Sequence, residues 1–144
     1  MAEIQKIIWL DDVRDPIKGP WESYIALTLG WGTCDGKQAS DYDIEWVKNY
    51  DEFINSIQQQ LPQIIFFDHD LADEHMIYYM TSYEENINYE EFKEKTGLDC
   101  AKWLVDYCQD NSINLPTYYV HSHNPIGRKN IQSYLDNAKQ HLGL

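Results

Sequence analysis

Positive charge is scarce in this chain. Eleven Lys and Arg stand against 24 Asp and Glu, a formal net charge of −13 over 144 residues. Most of such a surface repels a polyanion, which argues against broad, non-specific nucleic-acid binding. A small phosphorylated ligand stays compatible if a metal ion or a local cluster of cations overcomes the general field. Cysteine is sparse as well. Cys34, Cys100 and Cys108 are odd in number and lack Cys-x-x-Cys spacing, which fits a reducing compartment better than a disulfide framework. Long apolar runs are missing: none approaches the roughly 20 residues needed to span a bilayer, and the first residues carry no hydrophobic signal region. The expectation is a soluble cytoplasmic protein without membrane contact. Internal repeats and low-complexity tracts are absent too; at 144 residues the chain is too short for two comfortable domains, and residues 1–144 are expected to form one.

What the chain does have is apolar and aromatic content, 43% and 14%, with eleven Tyr and five Trp. That is enough for one ring-packed core. Three short apolar runs change character abruptly at their carboxyl ends. Ile64-Ile65-Phe66-Phe67 runs into Asp68-His69-Asp70, Lys6 to Leu10 into Asp11-Asp12, and Thr117 to Val120 into His121-Ser122-His123-Asn124. Runs of this kind are strands buried on both faces of a parallel sheet, and open α/β sheets place ligands at the carboxyl ends of their strands. One shared edge carrying one site is therefore expected.

The rest of the chain supplies crossovers. The first strand is predicted at about Ile4 to Leu10, followed by Pro16 to Pro20, which cannot hold a regular helix interior. Trp21 to Leu29 fits either a strand or a short helix, and Gly30 to Asp41 reads as a loop. Ile44 to Val47 is a second strand. Asn49 and Glu52 then open a helix with Phe53, Ile54, Ile57 and Leu61 on one face, and Pro62 marks its end. Ala72 to Lys95 is a long acidic, tyrosine-rich connection, either a solvated excursion or a lid or partner surface. Thr96 caps a helix with Leu98, Ala101, Leu104, Val105 and Cys108 as its buried stripe. Asn124-Pro125 starts a final helix with Ile131, Tyr134, Leu135, Ala138 and Leu142 on its apolar face. Right-handed crossovers arrange the strands in the order 2-1-3-4.

Asp11, Asp12, Asp68 and Asp70 are four carboxylates predicted to converge at neighbouring strand ends. Like charges so close raise one another's pKa and destabilise the fold, and a divalent cation resolves the conflict. All-oxygen ligation points to Mg²⁺ or Mn²⁺. Any single aspartate has a plainer use, capping a turn or pairing with Arg14. His69 and His121 beside the carboxylates suit acid–base work, and Ser122 is expected in the site with His121, the place of His123 being open. Gly127, Arg128 and Lys129 form the first turn of the last helix, where cations oppose the macrodipole at a cost of about 0.3 to 1 kcal/mol each. A phosphate held by that N-terminus and Arg128 compensates, with Lys129 as readily paired to an acidic neighbour.

The aspartates after the first and third strands and the hydroxyl after the fourth resemble the phosphoacceptor site of response-regulator receiver domains. The fifth strand with its lysine is missing, and the Pro-rich segment appears in place of the first helix. A closer resemblance is to cyclic-phosphate-processing receiver domains. It rests on Leu10-Asp11-Asp12 with Arg14 and Pro16, Tyr50-Asp51-Glu52, Asp68-His69-Asp70-Leu71, Thr96-Gly97 with Asp99, and Trp103-Leu104. It continues through Val120-His121-Ser122, Asn124-Pro125, Gly127-Arg128 and Asn130. The resemblance implies a three-layer, receiver-like (Rossmann-like) parallel sheet of about four strands with insertions at about 21–43 and 72–95. It also implies a metal-assisted activity on cyclic or terminal phosphates, in nucleic-acid repair or nucleotide signalling.

The expected function is a metal-dependent phosphohydrolase acting on cyclic or terminal phosphates of nucleotides or RNA ends. Asp11, Asp12, Asp68 and Asp70 are the expected metal ligands, and Asp68, His69 and His121 the catalytic groups. Ser122, Asn124, Gly127 and Arg128 are the expected phosphate contacts. Asp68 as a direct nucleophile is the alternative within this class. The alternative outside it is a non-catalytic module that binds metal and phosphate or nucleotide and signals to a partner protein through 72–95.

Overall fold

A computed structural model describes residues 5–31, 38–71 and 95–144. Four strands, β1 (Gln5–Leu10), β2 (Tyr42–Val47), β3 (Ile64–Phe67) and β4 (Thr117–Val120), form one parallel sheet in the order β2-β1-β3-β4. This is the order that right-handed crossovers require, and no fifth strand occurs among the described residues. The helices are α1 (Gly19–Leu29), α2 (Tyr50–Gln59), α3 (Gly97–Asp110) and α4 (Pro125–Leu142), with a 3₁₀ turn at Ala39–Asp41. Much of the long connection expected at Ala72 to Lys95, its proposed partner surface included, lies outside the described residues, as does Cys34.

One expectation is corrected. The first helix is present, because the prolines stand before it and at its start rather than inside it. Pro20 occupies the first turn of α1, where the missing N–H costs nothing and the fixed φ suits a helix. Gly30, at φ 69°, ends the helix in the left-handed conformation, its N–H closing back on the last turn. Trp21, Tyr24, Ile25 and Leu29 then fall on one stripe and pack on the sheet. That stripe settles Trp21 to Leu29 as helix rather than strand.

Strand alternation divides the core into two layers. Ile8, Leu10, Val47, Ile65 and Phe67 face α2, α3 and α4, whereas Ile7, Trp9, Ile64 and Phe66 face α1. The caps hold as read: the Asn49 side chain accepts the Glu52 N–H, Thr96 and Asp99 form a reciprocal capping box, and Asn124 accepts the Gly127 N–H. One helix end is finished from elsewhere. The last turn of α2 has no basic residue of its own, and buried Lys6 of β1 supplies the charge, donating from Nζ to the carbonyls of Ser56 at 2.7 Å and Gln60 at 2.9 Å. Glu45 pairs with the same ammonium at 3.3 Å.

Lys6→Met keeps the buried stem and removes the cap. The expected loss is about 1–2 kcal/mol of unfolding free energy by urea titration, and an unchanged midpoint would show that α2 does not need the charge.

Candidate active site

Register builds the site. Trp9 pairs with Phe66 and Phe66 with Tyr119, so Leu10, Phe67 and Val120 form the next row and Asp11, Asp68 and His121 the one after. The sheet's hydrogen bonding reaches this last row, with Asp68 N–H donating to the Leu10 carbonyl at 3.0 Å and His121 N–H to that of Phe67 at 2.9 Å. By alternation all three residues share parity with Trp9, on the α1 side. Their ligand atoms lie within 4.8 Å of one another, and relative exposures are 0% for Asp11, 3% for Asp68 and 7% for His121.

Each member of the row has a different electrostatic position. Asp11 Oδ1 accepts the N–H groups of Val13 and Arg14, both at 3.0 Å, and so caps the turn that follows β1. Its Oδ2 accepts His121 Nε2 at 3.0 Å and Arg14 Nη1 at 3.2 Å. Burial alone pushes this carboxyl up, but the His121 hydrogen bond and the two backbone donors outweigh it and hold Asp11 below the usual carboxylate range. Asp68 has less help. Its Oδ1 accepts the His69 N–H at 2.9 Å and Arg14 Nη1 stands 3.6 Å from Oδ2, but burial, reinforced by the charge of Asp11, lifts its pKa to about 8.

His121 lies flat on Trp9, with ring centroids 3.9 Å apart and planes 10° from parallel. Burial lowers its pKa, against the pull of the Asp11 carboxylate, so the neutral ring is favoured. With Nε2 donating to Asp11, Nδ1 keeps a lone pair, and this buried atom has no hydrogen-bond partner among the described residues. Asp11, Asp68 and His121 each offer one ligand atom to this cluster, a set that could hold a metal ion.

The other predicted residues sort onto different parts of the rim. His69 and Ser122, one position further along, have the opposite parity. His69 donates from Nδ1 to Asp70 at 2.8 Å, and its ring lies so close to α4 that a Cβ on Gly127 would overlap it. Asp70 also accepts from Asn124 Nδ2 at 3.3 Å. Asp70 is thus committed to His69 and Asn124 and stands outside the Asp11–Asp68–His121 group, as does Asp12, although both charges act on Asp68. Ser122 Oγ accepts the Asn124 N–H at 3.1 Å, inside the turn that starts α4. Arg128 is exposed beside Pro125, Lys129, Gln132 and Ser133, which line a groove of about 280 Å³. His123 meets the edge of Trp21, 5.8 Å between centroids.

Two contributors carried no chemical signal in the sequence. Trp9 looks like one more apolar strand residue, yet it stacks on His121 and its indole N–H donates to the Arg14 carbonyl at 2.9 Å. Trp46 matches it from β2, donating to the Asp11 carbonyl at 2.7 Å. Gly97 was readable as part of the α3 start and of the family resemblance, but not as a point of close approach. A Cβ there would overlap the Asp68 carbonyl oxygen, and its N–H donates to the His69 carbonyl at 2.8 Å.

A parallel α/β sheet with an acidic strand-end row defines a receiver-like domain. The family model described as the cyclic-phosphate processing Receiver domain matches residues 6–137, and the chain belongs to that family. No curated protein and no solved structure matches the chain. Among the described residues no helix is long and apolar enough to cross a membrane.

Two outcomes follow from this geometry. Unfolded aspartate titrates near about 3.9, whereas folded Asp68 holds its proton to about 8. Between those values the native state binds more protons, so the contribution of Asp68 to stability is full below about pH 4 and is lost as pH rises through about 8. Asp68→Asn is expected to unfold at higher urea than wild type at pH 7.5, with the gap closing toward pH 4; a gap independent of pH would rule out a protonated Asp68. Gly97→Ala, forced against the backbone of Asp68, is expected to cost more than about 2 kcal/mol, and a neutral result by calorimetry would show that α3 can retreat.

Proposed function

We propose that this domain is a metal-dependent phosphohydrolase or phosphodiesterase acting on cyclic or terminal phosphates of nucleotides or RNA ends. The observation that supports it most is the buried row Asp11–Asp68–His121, in which burial and the neighbouring charge of Asp11 raise the pKa of Asp68 to about 8. Family membership supports the phosphate class. Asp11 and Asp68 would hold Mg²⁺ or Mn²⁺ with His121 beside them. Held there, the ion would supply Lewis-acid polarisation of a phosphoryl oxygen and would lower the pKa of water.

The chain's own groups do the remaining work. Asp11 orients the His121 ring through Nε2, and the flat contact with Trp9 keeps that ring from tilting. His121 Nδ1 is then a neutral base at ordinary pH, suited to taking a proton. Asp70 fixes His69 through Nδ1 and sets which nitrogen carries its proton. Ser122, Asn124, Gly127 and Arg128, at the start of α4, supply polar and cationic groups for phosphate oxygens. The net charge of the chain confines such binding to this rim and disfavours a long polyanion.

Hydrolysis of 2′,3′-cyclic nucleotides with added Mg²⁺ or Mn²⁺ tests the reading. Metal-dependent turnover is expected in the wild type, falling at least about 100-fold in Asp68→Asn. Binding without turnover in both proteins would favour a non-catalytic signalling module instead.

A further inference from the structure

Arg14 stands where a shared cation would have to bind. A single guanidinium nitrogen, Nη1, lies 3.2 Å from Asp11 Oδ2 and 3.6 Å from Asp68 Oδ2, so it spans the two carboxylates. Its backbone is held independently: the N–H donates to Asp11 Oδ1 and the carbonyl accepts the Trp9 indole N–H. The side chain can therefore leave without moving the loop that positions Asp11. It also has a direction in which to leave. The Arg14 side chain is 18% exposed whereas those of Asp11 and Asp68 are nearly sealed, and its Cζ lies 5.0 Å from the centroid of the half-buried Trp21 ring, a second favourable partner at the rim.

We propose that Arg14 is an internal counter-ion, and that its guanidinium must vacate Asp11 and Asp68 before that pair can close on a divalent cation. The proposal rests on the metal-dependent reading above. Two cationic groups cannot share the same two carboxylate oxygens, since a guanidinium and a divalent ion a few ångströms apart repel strongly where water is excluded. Apparent cation affinity is then reduced by the small fraction of molecules whose carboxylates are clear of Arg14. A residue that only braced the two aspartates would have the opposite effect, since its removal would loosen the ligands and weaken binding. The sign of the change separates the two roles.

The experiment is calorimetric titration of MnCl₂ into wild type, Arg14→Gln and Arg14→Lys, each confirmed folded by circular dichroism. Arg14→Gln is expected to bind Mn²⁺ roughly tenfold more tightly than wild type, while Arg14→Lys, which keeps a charge, stays near wild type. Equal or weaker binding in Arg14→Gln overturns the proposal while leaving the metal reading intact. No Mn²⁺ binding by either wild type or Arg14→Gln overturns both. Should Arg14→Gln not fold, the wild type decides: the Arg14 Nε–H resonance must shift as Mg²⁺ saturates the protein, and an unmoved resonance refutes displacement.

Discussion

Everything chemical in this domain depends on three parallel strands ending in step. Because β1, β3 and β4 pair without a bulge, the residue after each apolar run lands in one row and on one face. Asp11 and His121 sit on strands separated by β3, about 9–10 Å apart at the backbone, yet their side chains meet at 3.0 Å over the top of Asp68. A one-residue slip of β4 would turn His121 toward α4 and put Ser122 in its place. Backbone pairing, more than any side-chain contact, composes the site.

Burial then sets the electrostatics. Water is kept from the row by Trp9, Trp21 and Tyr24 on the α1 side, so the charge on Asp11 is answered by specific partners and that on Asp68 mostly is not. The asymmetry is instructive. Asp11 accepts two backbone amides besides His121 and Arg14, whereas Asp68 accepts one backbone amide, from His69, and has Arg14 at 3.6 Å. The pair is thus unequally held, Asp11 by more donors than Asp68.

Strands, caps and sheet order were legible because each is local: apolar runs, Asn-x-x-Glu, Thr-Gly-x-Asp and Asn-Pro report on a few neighbouring residues. Asp11, Asp68 and His121 were legible for the same reason, each being the first polar residue after a strand. The helix α1 was harder, since Pro16 and Pro20 dominate that stretch and a proline at a helix start looks much like one that prevents a helix. The division of the rim into two faces needed the register, which no single strand carries. His69 and Asp70 sit next to Asp68 in sequence, yet His69 turns toward α4 and Asp70 is tied to it. Arg14 was visible as part of the family resemblance and as a partner for one aspartate, whereas spanning two of them is a property of the assembled sheet. The stacking of Trp9 on His121 joins positions 112 residues apart and had no sequence signature at all.

The two sides of the sheet are unequally furnished. Three helices and most of the buried apolar residues lie on one side, while among the described residues α1 alone covers the other, the side that holds the acidic row. Folding cooperativity is thereby concentrated away from the chemistry. Substitutions along α1 meet the smaller core layer, the one beside Asp68, and leave the principal core on the opposite face untouched.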